Sequence, residues 1–149
     1  MSDSIQDTIH PITVEGVSLI DFNVTTAASN RLVKLMIPEL ICVAVNHEAP
    51  ITYGELSRRI SHGTARIGYQ LGCIIDVIED LNTHVDFRVP ALTGLCVSST
   101  SQLPGKSFDR IVPNFSEKST EEKIELCNGI NRLAYDFDRW HTVRELLGL

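Results

Sequence analysis

The chain has 149 residues, 43% of them hydrophobic and 21% charged, with a formal net charge of −6. That length suits one domain with a real core, and the composition is that of a folded protein. No apolar run approaches the roughly 18 residues that span a bilayer, so no membrane partner is expected. The stretch Met1 to Asp7 is too polar and acidic for a signal peptide, which leaves a cytoplasmic location as the default.

In chain order, Met1 to Pro11 reads as a frayed end. Ile12 to Ile20 roughly alternates and is rich in β-branched residues, which predicts a strand with Gly16 at a bulge or bend. Ala27 to Met36 carries apolar residues at helical spacing, and Pro38 should end, kink or restart that helix. Pro38 to His47 is too apolar to be exposed. It is either a buried helix or, given Ile41, Val43 and Val45, a central strand.

Thr52 to Gly72 holds the strongest local signals. Thr52 and Glu55 have capping-box spacing, and Leu56 and Ile60 fall on one face of a short helix. Ser61-His62-Gly63-Thr64 makes a stop, a turn and a new cap, with Gly63 the natural left-handed residue. Ile67, Leu71, Ile74, Ile75 and Ile78 then continue at helical spacing to about Leu81. Two helices joined around a Gly predict a helix-turn-helix over Thr52–Ile60 and Thr64–Leu81. Asn82 to Arg88 is a polar connection, and Val89 to Ser99 reads as a strand that would begin a wing, with Pro90 at its start. Ser119 to Glu122 is a second capping box opening a helix with Ile124, Cys127, Ile130, Ala134 and Phe137 on one side. Trp140, Val143, Leu146 and Leu147 form a short terminal amphipathic piece. The fold class expected is α/β (α+β): one domain over 1–149, a winged helix-turn-helix core over 38–99, an N-terminal strand and a C-terminal helical cap.

The charge is uneven. Residues 53–72 hold Arg58, Arg59 and Arg66 against Glu55 alone, a basic island in an acidic body. A tight non-specific DNA binder needs a wider basic face, because phosphate neutralisation supplies most of such affinity. Asp76, Glu79 and Asp80 crowd the later half of the same helix, where they would repel phosphates and face a basic protein instead. Cys42, Cys73, Cys96 and Cys127 are far apart among apolar neighbours, and the five His residues fit no ligand spacing. No metal, cofactor or catalytic constellation is expected.

Ile51-Thr52-Tyr53-Gly54-Glu55-Leu56 followed by Ala65-Arg66-Ile67-Gly68-Tyr69-Gln70-Leu71 resembles the C-terminal domain of O6-alkylguanine-DNA alkyltransferases. That family has a Thr-Tyr-Gly helix start and an Ala-Arg-x-Val-Gly-x-Ala-Leu recognition helix at similar spacing. Val89-Pro90-Ala91-Leu92 falls, after a longer connection, where the family begins its Pro-Cys-His-Arg strand. The resemblance implies that Arg66 replaces a base flipped from the duplex and that Tyr53 presses on the 3′ phosphate. Arg58, Arg59 and Tyr69 complete the candidate nucleic-acid-binding set, although each also reads as an ordinary solvated or core-edge side chain. Ala91 stands where the alkyl acceptor should be, and no His or Arg follows it. A reactive thiolate needs such a neighbour, so alkyl transfer is not expected. The resulting expectation is a non-enzymatic DNA-binding protein of alkyltransferase-like or regulatory type, its partner a duplex with a distorted or damaged base. The alternative is a small acidic inhibitor or immunity-type protein, with Asp76, Glu79 and Asp80 masking a basic partner.

Overall fold

The computed structural model describes residues 27–63 and 67–149. The expected strand over residues 12–20 and the start of the second helix at residues 64–66 lie outside them. In chain order the elements are α1 (Ala27–Val45), β1 (Ile51–Thr52), α2 (Tyr53–Ile60), α3 (Ile67–Asn82), β2 (Cys96–Val97), α4 (Thr120–Asp136) and α5 (Trp140–Leu147). Single 3₁₀ turns at Thr93–Leu95, Lys106–Arg110 and Phe115–Glu117 punctuate the long connection from β2 and its approach. The described chain is thus mostly helical with a small two-stranded sheet. None of its helices is long and apolar enough to cross a membrane.

α1 settles the ambiguity at Pro38 to His47 in favour of helix, and it runs through Pro38 without ending. A proline there removes one backbone donor. Met36, Ile37, Leu40, Ile41, Val43 and Ala44 are all buried around it, and their burial outweighs the single missing bond. The helix turns out through His47, which takes a left-handed φ of 54°.

α2 opens on Thr52, whose Oγ1 accepts from the Glu55 N–H at 3.1 Å. Only half of the expected capping box forms, because the Glu55 carboxylate is drawn to Arg58 and Arg59 instead of the cap N–H. The left-handed residue closing α2 is Ser61 (φ 57°, ψ 44°), whose N–H returns to Arg58 and Ser57 carbonyls, and not Gly63. α3 then buries Ile67, Leu71, Ile74 and Ile78, which join Leu56 and Ile60 of α2 and the apolar face of α1 in the principal core, whereas Ile75, though buried, lies outside that cluster and lines a groove. Leu71 is 1% exposed, so Leu71→Ala should lower stability by about 2–5 kcal/mol. A variant as stable as wild type in urea denaturation would mean that the buried face of α3 is another one.

The strand expected over Val89 to Ser99 shrinks to Cys96–Val97, which pairs in parallel with Ile51–Thr52 in the register Ile51↔Cys96 and Thr52↔Val97. Local contacts take up the rest of that segment. Asn82, at the end of α3, grips Val89 on both sides: its Nδ2 donates to the Val89 carbonyl at 3.1 Å and its Oδ1 accepts the Val89 N–H at 2.7 Å. Those two bonds satisfy the backbone where a ladder would have begun, and Pro90 has no donor to extend it.

α4 has the complete capping box, with Glu122 N–H to Ser119 Oγ at 3.2 Å and Ser119 N–H to Glu122 Oε1 at 3.0 Å. Its buried line is Cys127, Asn131 and Ala134, whereas Ile124 is 47% exposed. The expected stripe beginning at Ile124 is therefore wrong by one turn. α4 meets the Thr93–Leu95 turn, where Asn131 Nδ2 donates to the Gly94 carbonyl at 3.0 Å, and it also meets α1. Beneath it, Leu103, Phe108, Phe115 and Cys127 form a smaller apolar cluster, in which the two phenylalanine rings meet edge to face at 4.8 Å. α5 buries Trp140, Val143, Leu146 and Leu147 as the terminal apolar pattern predicts.

Candidate functional site

Of the candidate nucleic-acid-binding residues, Tyr53, Arg58, Arg59 and Tyr69 are described, and Arg66 lies outside the described residues. Tyr53 is half-buried in the first turn of α2, packed against the principal core. Its hydroxyl faces the backbone of Gly105, where a Cβ would come within 2.5 Å of it. Burial raises its pKa and Cys96 adds to this, while a backbone hydrogen bond from Gly105 opposes. The phenol therefore ties α2 to the turn after β2 and is not held out from the surface. Tyr69, in the first turn of α3, is 48% exposed, beside exposed Gly68.

The arginines are already engaged. Arg58 forks onto Glu55, with Nε to Oε1 at 3.0 Å and Nη2 to Oε2. Arg59 lies among three carboxylates: its Nε donates to Glu55 Oε2 at 2.9 Å, its Nη2 donates to Glu48 Oε1 at 3.0 Å, and its Nη1 is 3.9 Å from Glu39 Oε1. The Arg58 guanidinium, followed by that of Arg59, holds the Glu55 carboxyl down to about 2. Three carboxylates thus face two guanidiniums, and the described part of the basic island, Arg58 and Arg59, is neutralised in space. Glu39 and Glu48 come from α1 and the turn behind it, so no count along residues 53–72 reveals them.

Two of the three residues of the alternative acidic set are neutralised in the same way. Asp76 is paired with Arg110, which also donates to the Gly72 carbonyl at 2.9 Å, and Glu79 is paired with Arg88 at 3.0 Å. Asp80 contributes its backbone carbonyl, which accepts from Thr83 Oγ1 at 2.6 Å beyond the helix end. Exposed pairs of this kind contribute about 0–1 kcal/mol each and yield to a better partner. Their significance is electrostatic: the acidic side of α3 is not a bare negative patch.

Ala91, at the position of the acceptor cysteine in the resembled family, is half-buried on the wall of a groove of about 390 Å³ between α3 and the chain at 88–93 and 110–111. Burial pushes the thiols of Cys96 and Cys127 up to about 12 and about 11, so both are neutral and unreactive at neutral pH. Incubation with a duplex carrying an O6-alkylguanine should therefore leave the intact mass unchanged. One stoichiometric alkyl adduct, on any of the four cysteines, would make the protein an alkyl acceptor. Among the described residues no group of three or more His, Cys, Asp or Glu side chains is placed to hold a metal ion.

Sequence reasoning missed Asn82, Arg88, Arg110, Glu39 and Glu48, all of which act across a distance in the chain. A signal for Asn82 did exist: an amide side chain at the end of an apolar helix, followed by a polar connection, is a natural partner for the returning backbone. Compared with protein-family models, curated proteins and solved structures, the chain gives no match.

Proposed function

We propose that this protein is a non-enzymatic DNA-binding protein of alkyltransferase-like or regulatory type, with a winged-helix core built from α1, α2, α3 and the short sheet. One observation carries the reading. α2 and α3, separated by six residues of the chain, share a buried face against α1, while the first described turn of α3 turns Gly68 and Tyr69 outward. That is the placement a recognition helix needs. The resemblance adds Arg66 one residue before that turn.

The ion pairs of Arg58 and Arg59 sharpen the expected behaviour. With Arg59 enclosed by carboxylates, one or two guanidiniums remain for phosphates, which gives a log–log salt slope of roughly −1 to −2 on duplex DNA. Affinity for intact duplex is then weak, and useful binding comes from a distorted base, because a damaged or mispaired base is easier to extrude. Arg66→Ala should abolish the preference for a lesion-bearing duplex and barely change binding to the intact one. Titration of both duplexes at two salt concentrations, with wild type and variant, measures this. Absence of binding to either duplex at low salt would overturn the DNA reading.

A second reading, an acidic module that binds a basic protein, draws support from the excess of Glu39, Glu48 and Glu55 over Arg58 and Arg59. It requires that Glu39→Gln and Glu48→Gln weaken capture of that partner. In the DNA reading the same two changes strengthen duplex binding by releasing Arg59.

A further inference from the structure

The groove beside Ala91 has features that the DNA reading does not use. Its volume of about 390 Å³ falls within the roughly 300–1,000 Å³ of small-molecule sites. Ile74, Ile75 and Ile78 of α3 form one wall, and Leu92 and Ile111 belong to the other. Thr93, also in the lining, is 2% exposed, and its hydroxyl has no hydrogen-bond partner. That hydroxyl is a polar group of the lining that a bound molecule can satisfy. Arg88 and Arg110 line the groove together with Glu79, and Asp76 beside it pairs with Arg110. Their present partners, Glu79 and Asp76, are about half exposed, so both ion pairs are readily exchanged for a ligand anion.

We propose that this groove binds a small organic monocarboxylate with an aliphatic or aryl body. The isoleucine wall takes the body, the guanidiniums of Arg88 and Arg110 take the charge, and the Thr93 hydroxyl supplies a hydrogen bond. The site is separate from the proposed DNA contact. Ile74 to Glu79 lie about 10–18 Å along α3 from its first residue, Ile67, at 1.5 Å per residue. Neither proposal depends on the other.

The test uses the full chain labelled at the isoleucine methyls and titrated with 3-phenylpropionate, with 3-phenylpropan-1-ol and acetate as the body without the charge and the charge without the body. Saturable shifts at Ile74, Ile75, Ile78 and Ile111 are expected with 3-phenylpropionate, and much weaker ones with either comparator. Arg88→Gln should weaken binding about tenfold or more, as loss of a charge-assisted bond does. Thr93→Val keeps the shape and removes the orphaned hydroxyl. It should weaken binding about 3–10-fold while leaving the fold at least as stable as wild type. Ala91→Leu, which fills the wall without touching a polar partner, should block the shifts. No saturable shift with 3-phenylpropionate would overturn the proposal. So would equal binding of the alcohol, or an affinity that Arg88→Gln and Ala91→Leu leave unchanged.

Discussion

Replacing Trp140 by alanine should destabilise the protein by about 3–5 kcal/mol, the range for truncating a buried tryptophan. The ring is 2% exposed and stands edge to face with Phe137 at 4.7 Å. Its Nε1–H donates to the Ala134 carbonyl at 2.8 Å in a buried setting. One side chain therefore fastens α5 to the end of α4, and through Phe137 it reaches Phe87, over which Arg139 lies at 4.8 Å. Against a total stability of about 5–15 kcal/mol, typical of small domains, the loss leaves little reserve at physiological temperature. Trp140 is the only tryptophan, so unfolding of the variant is followed by far-UV circular dichroism in urea, not by fluorescence. Trp140→Phe keeps most of the apolar area and loses the hydrogen bond, so it should fall between wild type and Trp140→Ala. A loss below about 1 kcal/mol for the alanine variant would mean that α5 contributes little to the fold.

Gly94→Ala, a change of one methyl group, should cost about 2–6 kcal/mol. A Cβ at this position would sit 2.4 Å from Asn131 Oδ1 and 3.3 Å from Phe108 Cε1. Asn131 is 6% exposed and held by its Nδ2, which donates to the Gly94 carbonyl at 3.0 Å, so its retreat breaks that bond, and Phe108 is fully buried. Overpacking of this kind costs about 1–3 kcal/mol, and displacing the Asn131 amide from its buried bond adds about 1–3. The reason for glycine here is space alone, since its φ is not in the left-handed region. Asn131→Ala in the Gly94→Ala background should restore part of the loss, because it removes the clash. A double variant no better than the sum of its parts would place the strain at Phe108 instead.

The sequence by itself determined the elements whose signals are local. The spacing of Leu56, Ile60, Ile67, Leu71 and Ile78 settled two helices and their common buried face, because helical periodicity and burial report the same thing. Ser119 and Glu122 marked the start of α4 through a bond closed within four residues. Trp140 to Leu147 announced its docking face in the same way. Tertiary structure decided everything that depends on which distant segments meet. Helix or strand for residues 38–47 rested on tertiary packing: Leu40, Ile41, Val43 and Ala44 turn one face of α1 into the core while Val45 is left 55% exposed, and a run this rich in apolar residues has little periodicity to read. The Val89 to Ser99 segment is a clamp and a two-residue strand because Asn82 takes both backbone groups of Val89. The largest difference is electrostatic. Along the chain Arg58 and Arg59 form a basic island and Asp76 and Glu79 an acidic one. In space Glu39 and Glu48 come from outside residues 53–72 to face Arg59, and Arg88 and Arg110 come from later in the chain to face the acids. Charge falls off with distance through space and not with separation in sequence, so folding alone settled which charges remain to meet a partner.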